Sequence, residues 1–150
     1  MANKNLGKNF EAIIGDSFRA MTDVSVDRIP DQTMKFKDRK NVSDYIVYKY
    51  PHQYYVECKS VHGNTLPIAK ITQLEPLWEK EVLTKGVISG VMCWWVDKDI
   101  TRWLPVEEIV KRKADGKKSI RFDEDIEGSK TIAGRKKKVY FEYDMKTFFK

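Results

Sequence analysis

The chain has 150 residues, 41% of them hydrophobic and 33% charged, which is the length of one domain. A chain of this size buries roughly 68–70% of its surface and needs no disulfide or metal to hold a core. It has no apolar run near the roughly 18 residues of a membrane span, and no apolar stretch typical of a signal peptide. Lys and Arg outnumber Asp and Glu by 28 to 22, and the net charge of +6 favours a polyanionic partner such as nucleic acid.

The first half of the chain predicts a helix followed by an antiparallel hairpin. Apolar residues recur at helical spacing near the N-terminus, and β-branched and aromatic residues dominate the two later runs. In chain order the predicted elements are a helix at 4–21, a break at 28–32, a basic connector at 33–41, a strand at 43–49, a turn at 50–53 and a strand at 54–60.

The second half predicts a helix, two strands and a polar remainder. Thr72 and Glu75 have the spacing of a capping box, and Gly86 is typical of a helix C-terminus. In chain order the predicted elements are a loop at 61–67, a helix at 72–86, a strand at 87–96, and a strand within 100–109 with a short helix after Pro105. The remainder, 110–150, is polar and basic.

The order helix, strand, strand, helix, strand, strand predicts an α/β fold with a mixed central β-sheet flanked by helices. We expect one domain over residues 1–150, with 110–150 as a basic C-terminal extension packed on the core. Basic residues cluster at 35–40, 111–118 and 134–138. Each cluster is either a solvated face or a patch that binds phosphate.

The remaining side chains of chemical interest are predicted to be structural. Cys58 and Cys93 lie in apolar runs without zinc-ligand spacing, which indicates reduced core residues of a cytosolic protein. His52 and His62 are expected in loops. The tryptophans are expected to be anchors of the core or of a dimer interface, and they are Trp78, Trp94, Trp95 and Trp103.

The hairpin contains an acid and a base two residues apart, in "YYVECKS". Side chains two apart lie on one face of a strand, so Glu57 and Lys59 form either an exposed salt bridge or part of a polar site. Strands of a hairpin are about 4.8 Å apart, which brings Asp44 near both. Two adjacent carboxylates repel unless a cation joins them. Oxygen ligands suit Mg²⁺, for which Mn²⁺ can substitute.

An Asp on one strand and Glu-x-Lys on the next form the pattern of the PD-(D/E)xK nuclease core. Here the pattern is Ser43-Asp44 and Glu57-Cys58-Lys59. Through most of its length the chain resembles RecU-type Holliday junction resolvases. The matching stretches, in chain order, are "GKNFEAII", "RIP", "SDYIVY" with "YYVECKS", "IAKITQLEPLWE", "VISGVMCWW" with "TRWLPVEEI", and "GKKSI".

This resemblance implies a role for each matching residue. Asp44, Glu57 and the Cys58 backbone carbonyl would bind the metal ion, and Lys59 would be the catalytic lysine. Gln73 would position water or phosphate. Glu11 would place a further carboxylate near the site, and Ser43 would assist. Two alternatives stay open, because Gln73 and Glu11 could be plain surface residues of their helices.

The resemblance also implies a restriction-endonuclease-like core and a cytoplasmic homodimer, bacterial or phage-encoded, that cuts four-way DNA junctions with Mg²⁺. Recombination proteins are possible further partners. The candidate phosphate contacts are Lys35, Lys37, Arg39, Lys40, Lys70, Lys117 and Lys118. In this family a protruding stalk engages the junction centre, and here the corresponding segment, 31–41, is short and basic.

Three rival functions remain open at this point. One is another PD-(D/E)xK endonuclease that acts on duplex or flap DNA. The second is a non-catalytic DNA-binding protein with the same fold, and the third is a basic structural or RNA-binding domain with an incidental Glu-x-Lys. Substrate panels and metal-dependent cleavage separate them.

Overall fold

A mixed six-stranded sheet forms the centre of the protein, seen in a computed structural model that describes residues 6–30, 42–136 and 141–150. With numbering in chain order, its strands from edge to edge are β1 (Ser25–Arg28), β2 (Tyr45–Lys49), β3 (His52–Val61), β5 (Val87–Trp95), β6 (Ile100–Pro105) and β8 (Lys130–Thr131). β3 and β5 are parallel, and the other neighbouring strands are antiparallel.

Helices flank this sheet, and two short two-stranded sheets accompany it. The helices are α1 (Leu6–Arg19), α2 (Leu74–Leu83), α3 (Val106–Ala114) and α4 (Met145–Phe148). The small sheets pair β4 (Thr65–Pro67) with β7 (Ser119–Arg121), and β9 (Gly134–Lys136) with β10 (Phe141–Tyr143). The predicted α/β architecture, a mixed sheet flanked by helices, is confirmed. Every helix in the described part of the chain is too short or too polar to span a bilayer.

Each face of the central sheet packs into its own hydrophobic core. The first core lies under α2 and α3, and its members include Tyr55, Val61, Leu74, Leu77, Val91, Trp95 and Ile109. The second core lies under α1 and α4, and its members include Phe10, Ile14, Phe18, Tyr45, Tyr54, Trp103 and Phe148. The apolar stripe predicted for the first helix is therefore the face of α1 that is buried.

The apolar run at 87–96 forms the central strand β5, as its composition predicts. A strand with neighbours on both sides is buried along most of its length, as β5 is from Ser89 to Cys93, and this favours an almost continuous apolar sequence. The parallel pairing of β3 with β5 needs a crossover, and α2 lies within it. Gly90 allows β6 to approach closely, because a Cβ there would lie 2.5 Å from the Leu104 carbonyl oxygen.

Several element boundaries differ from the sequence predictions. β1 was not predicted, and it exists because it pairs with β2 along its length. Part of the predicted loop at 61–67 is β4, which pairs with β7. His52 begins β3, so its assignment to a loop was wrong. Each of these short segments is ordered by a partner strand that lies elsewhere in the sequence.

The predicted helix at 72–86 is shorter in the structure, and its predicted capping box is wrong. The N-cap residue of α2 is Gln73, which forms no side-chain capping hydrogen bond. The Thr72 hydroxyl instead donates to the Gln73 side-chain oxygen over 3.0 Å. At Pro105 the predicted strand gives way to α3, which confirms a helix after that proline.

The described C-terminal residues pack directly on the central sheet. β8 extends the sheet beyond β6, and Phe148 of α4 is buried in the second core. The Thr101 and Tyr143 hydroxyls are hydrogen bonded over 2.8 Å. Trp95 and Trp103 are core residues, whereas Trp78 and Trp94 are partly buried beside the cores.

Some predicted features fall on residues that the structure does not describe. The stalk-like segment at 31–41, which includes the connector at 33–41, lies entirely outside the described residues. The same holds for four candidate phosphate contacts, which are Lys35, Lys37, Arg39 and Lys40.

Candidate active site

The candidate active site lies where β2 begins beside the longer strand β3. The ladder between them starts at the Tyr45–Val56 pair, and β3 continues past it to Val61. Asp44 immediately precedes β2, and its Oδ2 accepts a hydrogen bond from the Cys58 backbone N–H over 2.8 Å. The aspartate therefore lies next to β3, where one more residue of β2 would pair with that strand.

Glu57 and Lys59 lie on the face of β3 that faces the first core, and they form an ion pair. The Lys59 Nζ is 3.3 Å from the Glu57 Oε2. Glu57 is only 3% exposed, whereas the Lys59 side chain is 24% exposed. The alternative of a solvent-exposed salt bridge is therefore wrong for the carboxylate. A buried charge is costly unless it is paired, so Glu57 depends on its neighbours.

The second oxygen of Glu57 is an unsatisfied buried acceptor. Oε1 has no hydrogen-bond partner among the residues that the structure describes. The Asp44 carboxyl group is close enough to Glu57 to share a hydrogen bond when one of the two is protonated. Two ionised carboxylates have no donor between them, so Oε1 needs a proton, a cation or a water molecule as its partner.

The electrostatics of the pair follow from burial and like charge. Burial, and then the Asp44 charge, raise the pKa of Glu57 to about 8, against the opposing effect of Lys59. The pKa of the neighbouring Cys58 thiol is raised well above its ordinary value, by burial first and then by both carboxylates. At neutral pH the metal-free site therefore retains a proton on Glu57, and a bound cation would displace that proton.

A backbone oxygen lies at the same edge as the two carboxylates. The N–H and C=O groups of one residue point to the same side of a strand. Because the Cys58 N–H points to Asp44, the Cys58 carbonyl faces that side as well. Asp44, Glu57 and this carbonyl therefore offer only oxygen atoms as candidate metal ligands.

This ligand set fits Mg²⁺ or Mn²⁺ better than zinc. Mg²⁺ is commonly held by one or two carboxylates with water molecules completing its octahedron, whereas structural zinc takes four Cys or His ligands. Within 6–30, 42–136 and 141–150 no group of three or more His, Cys, Asp or Glu side chains converges as a metal site. The unsatisfied Glu57 Oε1 is the observation that fits a metal at the two-carboxylate site.

Comparison with known proteins assigns the chain to no family. The chain matches no protein-family model, and no curated protein matches it. The resemblance to RecU-type resolvases accordingly depends on the quoted motifs and their order.

Two further candidate residues have structural contacts of their own. The Glu11 carboxylate on α1 accepts a hydrogen bond from Arg28 Nη2 over 3.0 Å, and its backbone oxygen accepts one from the Tyr45 hydroxyl over 2.9 Å. α1 packs on the face of the sheet opposite Glu57. Ser43 is buried, and its hydroxyl donates to the Tyr45 carbonyl over 2.8 Å. Sequence reasoning missed Arg28 and Tyr45, since nothing in the pattern marks these partners.

Gln73 is not brought into contact with the carboxylate pair. Its side-chain oxygen accepts from Thr72 at the start of α2, as described above. Among the described residues, no hydrogen bond joins Gln73 to Lys59 or to the carboxylates. Its alternative interpretation, a residue at the surface end of a helix, agrees better with these contacts.

Three of the candidate phosphate contacts are described, and all are exposed. Lys117 and Lys118 line a cleft of about 610 Å³ together with Lys113. Lys70 is in the short turn whose preceding residues line the same cleft. Lys113 was not singled out from its cluster at 111–118, and the structure places it in the last turn of α3.

Proposed function

We propose that this protein is a Mg²⁺-dependent endonuclease with a restriction-endonuclease-like core that resolves four-way DNA junctions, as the resemblance to RecU-type resolvases implies. The observation that supports it most is the buried Glu57 beside Asp44, with an unsatisfied oxygen and with Lys59 3.3 Å away. A structural salt bridge needs one carboxylate for its lysine. A second carboxylate in the same place is costly for folding and useful for binding a cation.

Asp44, Glu57 and the Cys58 carbonyl would hold the metal ion. Bound Mg²⁺ lowers the pKa of a coordinated water molecule and neutralises charge on a phosphodiester. Lys59 reaches solvent more than Glu57 does, so its ammonium group can contact the substrate. There it would donate hydrogen bonds to the attacking water or to a phosphate oxygen, and the ion pair with Glu57 holds it in place.

The excess of basic residues would supply the contacts to the DNA backbone. The net charge is +6, and Lys117 and Lys118 are exposed on the described surface. Binding through phosphates weakens steeply as salt rises, and it reads the shape of the DNA more than its base sequence. The basic segment at 31–41 remains a predicted junction contact.

The same function calls for a homodimer. Cutting two opposed strands needs two active sites, and a two-fold axis supplies them. Large apolar side chains are exposed at one end of the protein, with Tyr50 at 81%, Leu83 at 73% and Val82 at 58%. The turn with Tyr50 and the end of α2 are adjacent, since the Gln53 N–H donates to the Gly86 carbonyl over 3.0 Å. We propose this apolar end as part of the dimer interface.

The dimer proposal predicts that Leu83→Lys shifts the protein towards monomer. A charge placed in an apolar interface is desolvated without a partner, so we expect the dimer dissociation constant to rise at least tenfold, equivalent to about 1.4 kcal/mol. Sedimentation equilibrium measures it. Ala114→Lys, which adds the same charge at an exposed position of α3, serves as the control. A monomeric parent protein, or equal constants for all three, would contradict the proposed interface.

The function is tested with synthetic DNA of matched length. A four-way junction, a linear duplex and a flap are each incubated with Mg²⁺, Mn²⁺ or EDTA. We expect paired incisions in the junction with either metal, little cutting of the duplex, and none in EDTA. If the duplex or the flap is cut faster than the junction, the rival function, a PD-(D/E)xK endonuclease that acts on duplex or flap DNA, is favoured. Metal-independent binding without cleavage of any substrate would favour a non-catalytic DNA-binding protein.

A further inference from the structure

A cleft with an apolar floor and a basic rim lies between the start of α2 and the end of α3, with a volume of about 610 Å³. We call it the lysine cleft. Its lining residues are Ile68, Ala69, Ile71, Thr72, Leu74, Glu75, Pro76, Lys113, Lys117 and Lys118.

The floor of the lysine cleft is firmly packed. Ile68, Ile71 and Leu74 are buried members of the first core, and the Ile71 N–H donates to the Ile68 carbonyl over 2.9 Å. Ala69 and Pro76 line the cleft with small or flat apolar groups. Ala69 is exposed and Pro76 is partly exposed, so these two residues supply the accessible apolar surface of the floor. The buried side chains beneath hold that surface in place, which reduces the conformational entropy lost on binding.

The backbone that bears the rim lysines is held by hydrogen bonds. Gly116, with a φ of +83°, turns the chain after α3, and the Lys117 N–H donates to the Arg112 carbonyl over 2.9 Å. The Ile68 N–H donates to the Lys118 carbonyl over 2.9 Å, beside the ladder between β4 and β7. These bonds fix Lys117 and Lys118 against the floor.

The rim lysines are uncompensated by ion pairs. Lys113, Lys117 and Lys118 form no salt bridge within the described ranges, in contrast to Lys111, which is paired with Glu107 and Glu108. Glu75 is the one acidic side chain in the lining. The rim is therefore complementary to an anion such as a phosphate group.

The lysine cleft and the carboxylate pair lie on the same side of the central sheet. α2 begins at the cleft and packs through Leu74 and Leu77 on the face that contains Tyr55 and Val61. Every second residue of a strand lies on the same face, so Glu57 shares the face of Tyr55 and Val61 on β3. One DNA strand on this side of the protein can therefore meet both the lysines and the candidate catalytic residues.

We propose that the lysine cleft binds a single DNA strand with one unstacked base on the apolar floor and the flanking phosphates on Lys113, Lys117 and Lys118. This inference rests on the proposed action on DNA. In an intact duplex the bases are stacked and paired, so only the backbone would reach the lysines. An unstacked base, as at a branch point or in a single strand, adds contact with the floor. The cleft would thereby favour branched over linear DNA.

The test compares two strands that differ only in their bases. Fluorescence anisotropy in EDTA measures binding of a short oligothymidine and of an abasic strand of equal length. We expect the oligothymidine to bind roughly tenfold tighter, because a stacked or buried base contributes to affinity. Ala69→Leu, which narrows the cleft, should abolish this preference while leaving the affinity for the abasic strand unchanged.

The rim is tested with a charge-matched pair of double variants. Lys117→Gln with Lys118→Gln should weaken binding of both strands roughly tenfold, whereas Lys85→Gln with Lys146→Gln should change it less than twofold. Equal affinity of the parent for both strands, or equal effects of the two double variants, would overturn the proposal. These measurements need no metal, so a failure of the nuclease activity, read from junction cleavage, is distinguishable from a failure of the cleft.

Discussion

Replacing Lys59 with alanine is expected to lower Mg²⁺-dependent junction cleavage by roughly 10²–10³-fold, the usual loss when a preorganised donor is removed from an active site. The ammonium group is 3.3 Å from the Glu57 Oε2, so its loss removes a donor to the water or phosphate. The Lys59 side chain is only 24% exposed, so the substitution also removes buried surface and the ion-pair partner of Glu57, which is expected to lower stability. Single-turnover cleavage at saturating protein isolates the chemical step from DNA binding.

The controls for this prediction use the same chemistry at other positions. Lys85→Ala removes an exposed lysine at the far end of α2 and should cleave at the parental rate. Asp44→Asn should lose activity like Lys59→Ala, and melting temperatures identify any loss caused by unfolding. If Lys59→Ala and Asp44→Asn both cut as fast as the parent, the site is misassigned.

Glu57→Gln is expected to stabilise the metal-free protein at alkaline pH. The pKa of Glu57 is raised from 4.5 to about 8, so the folded state binds its proton more tightly than the unfolded state does. This contribution to stability is complete below the ordinary value and is lost as pH rises through about 8. At pH 8.5 the uncharged glutamine should raise the free energy of unfolding by roughly 2–4 kcal/mol, with little gain at pH 5. Urea unfolding in EDTA at both pH values measures this difference.

The same urea unfolding experiment, repeated with Mg²⁺ in place of EDTA, measures how much the metal ion stabilises each protein. At a concentration 100 times its dissociation constant, the ion should stabilise the parent by about 2.7 kcal/mol, and it should stabilise Glu57→Gln much less. Glu81→Gln is a matched control, because burial also raises the pKa of Glu81. The Glu81 carboxylate accepts a hydrogen bond of 2.8 Å from the Ser89 N–H and is not part of the pair with Asp44. An equal Mg²⁺ effect on Glu57→Gln and on the parent would contradict metal binding at this site.

Long elements with a clear pattern could be predicted from sequence. The stripe of apolar residues on α1, the uniformly apolar β5 and the hairpin of β2 and β3 each follow from the periodicity of their own side chains. The hairpin register also follows from a short turn, which made it possible to predict that Asp44, Glu57 and Lys59 converge. Local pattern and local pairing were sufficient in these cases.

Elements that depend on distant partners could not be predicted in this way. β1, β4 and β7 are at most four residues long and have no distinct pattern, so only their pairing makes them strands. The capping box failed for a related reason, because the backbone before α2 is held by the turn at Ile68–Lys70 and the helix begins two residues later than Thr72.

The sequence by itself determined which residues could form a two-carboxylate site, because Asp44, Glu57 and Lys59 are close along one hairpin. Only the tertiary structure decided that Glu57 is buried, since its face of the sheet packs into the first core and a strand pattern is the same for an exposed and a covered charge. The tertiary structure also brought Lys113, Lys117 and Lys118 to Ile68 and Leu74, which are far away in sequence. Burial and distant contacts set the pKa of a carboxylate and the shape of a cleft, and neither is encoded in local spacing.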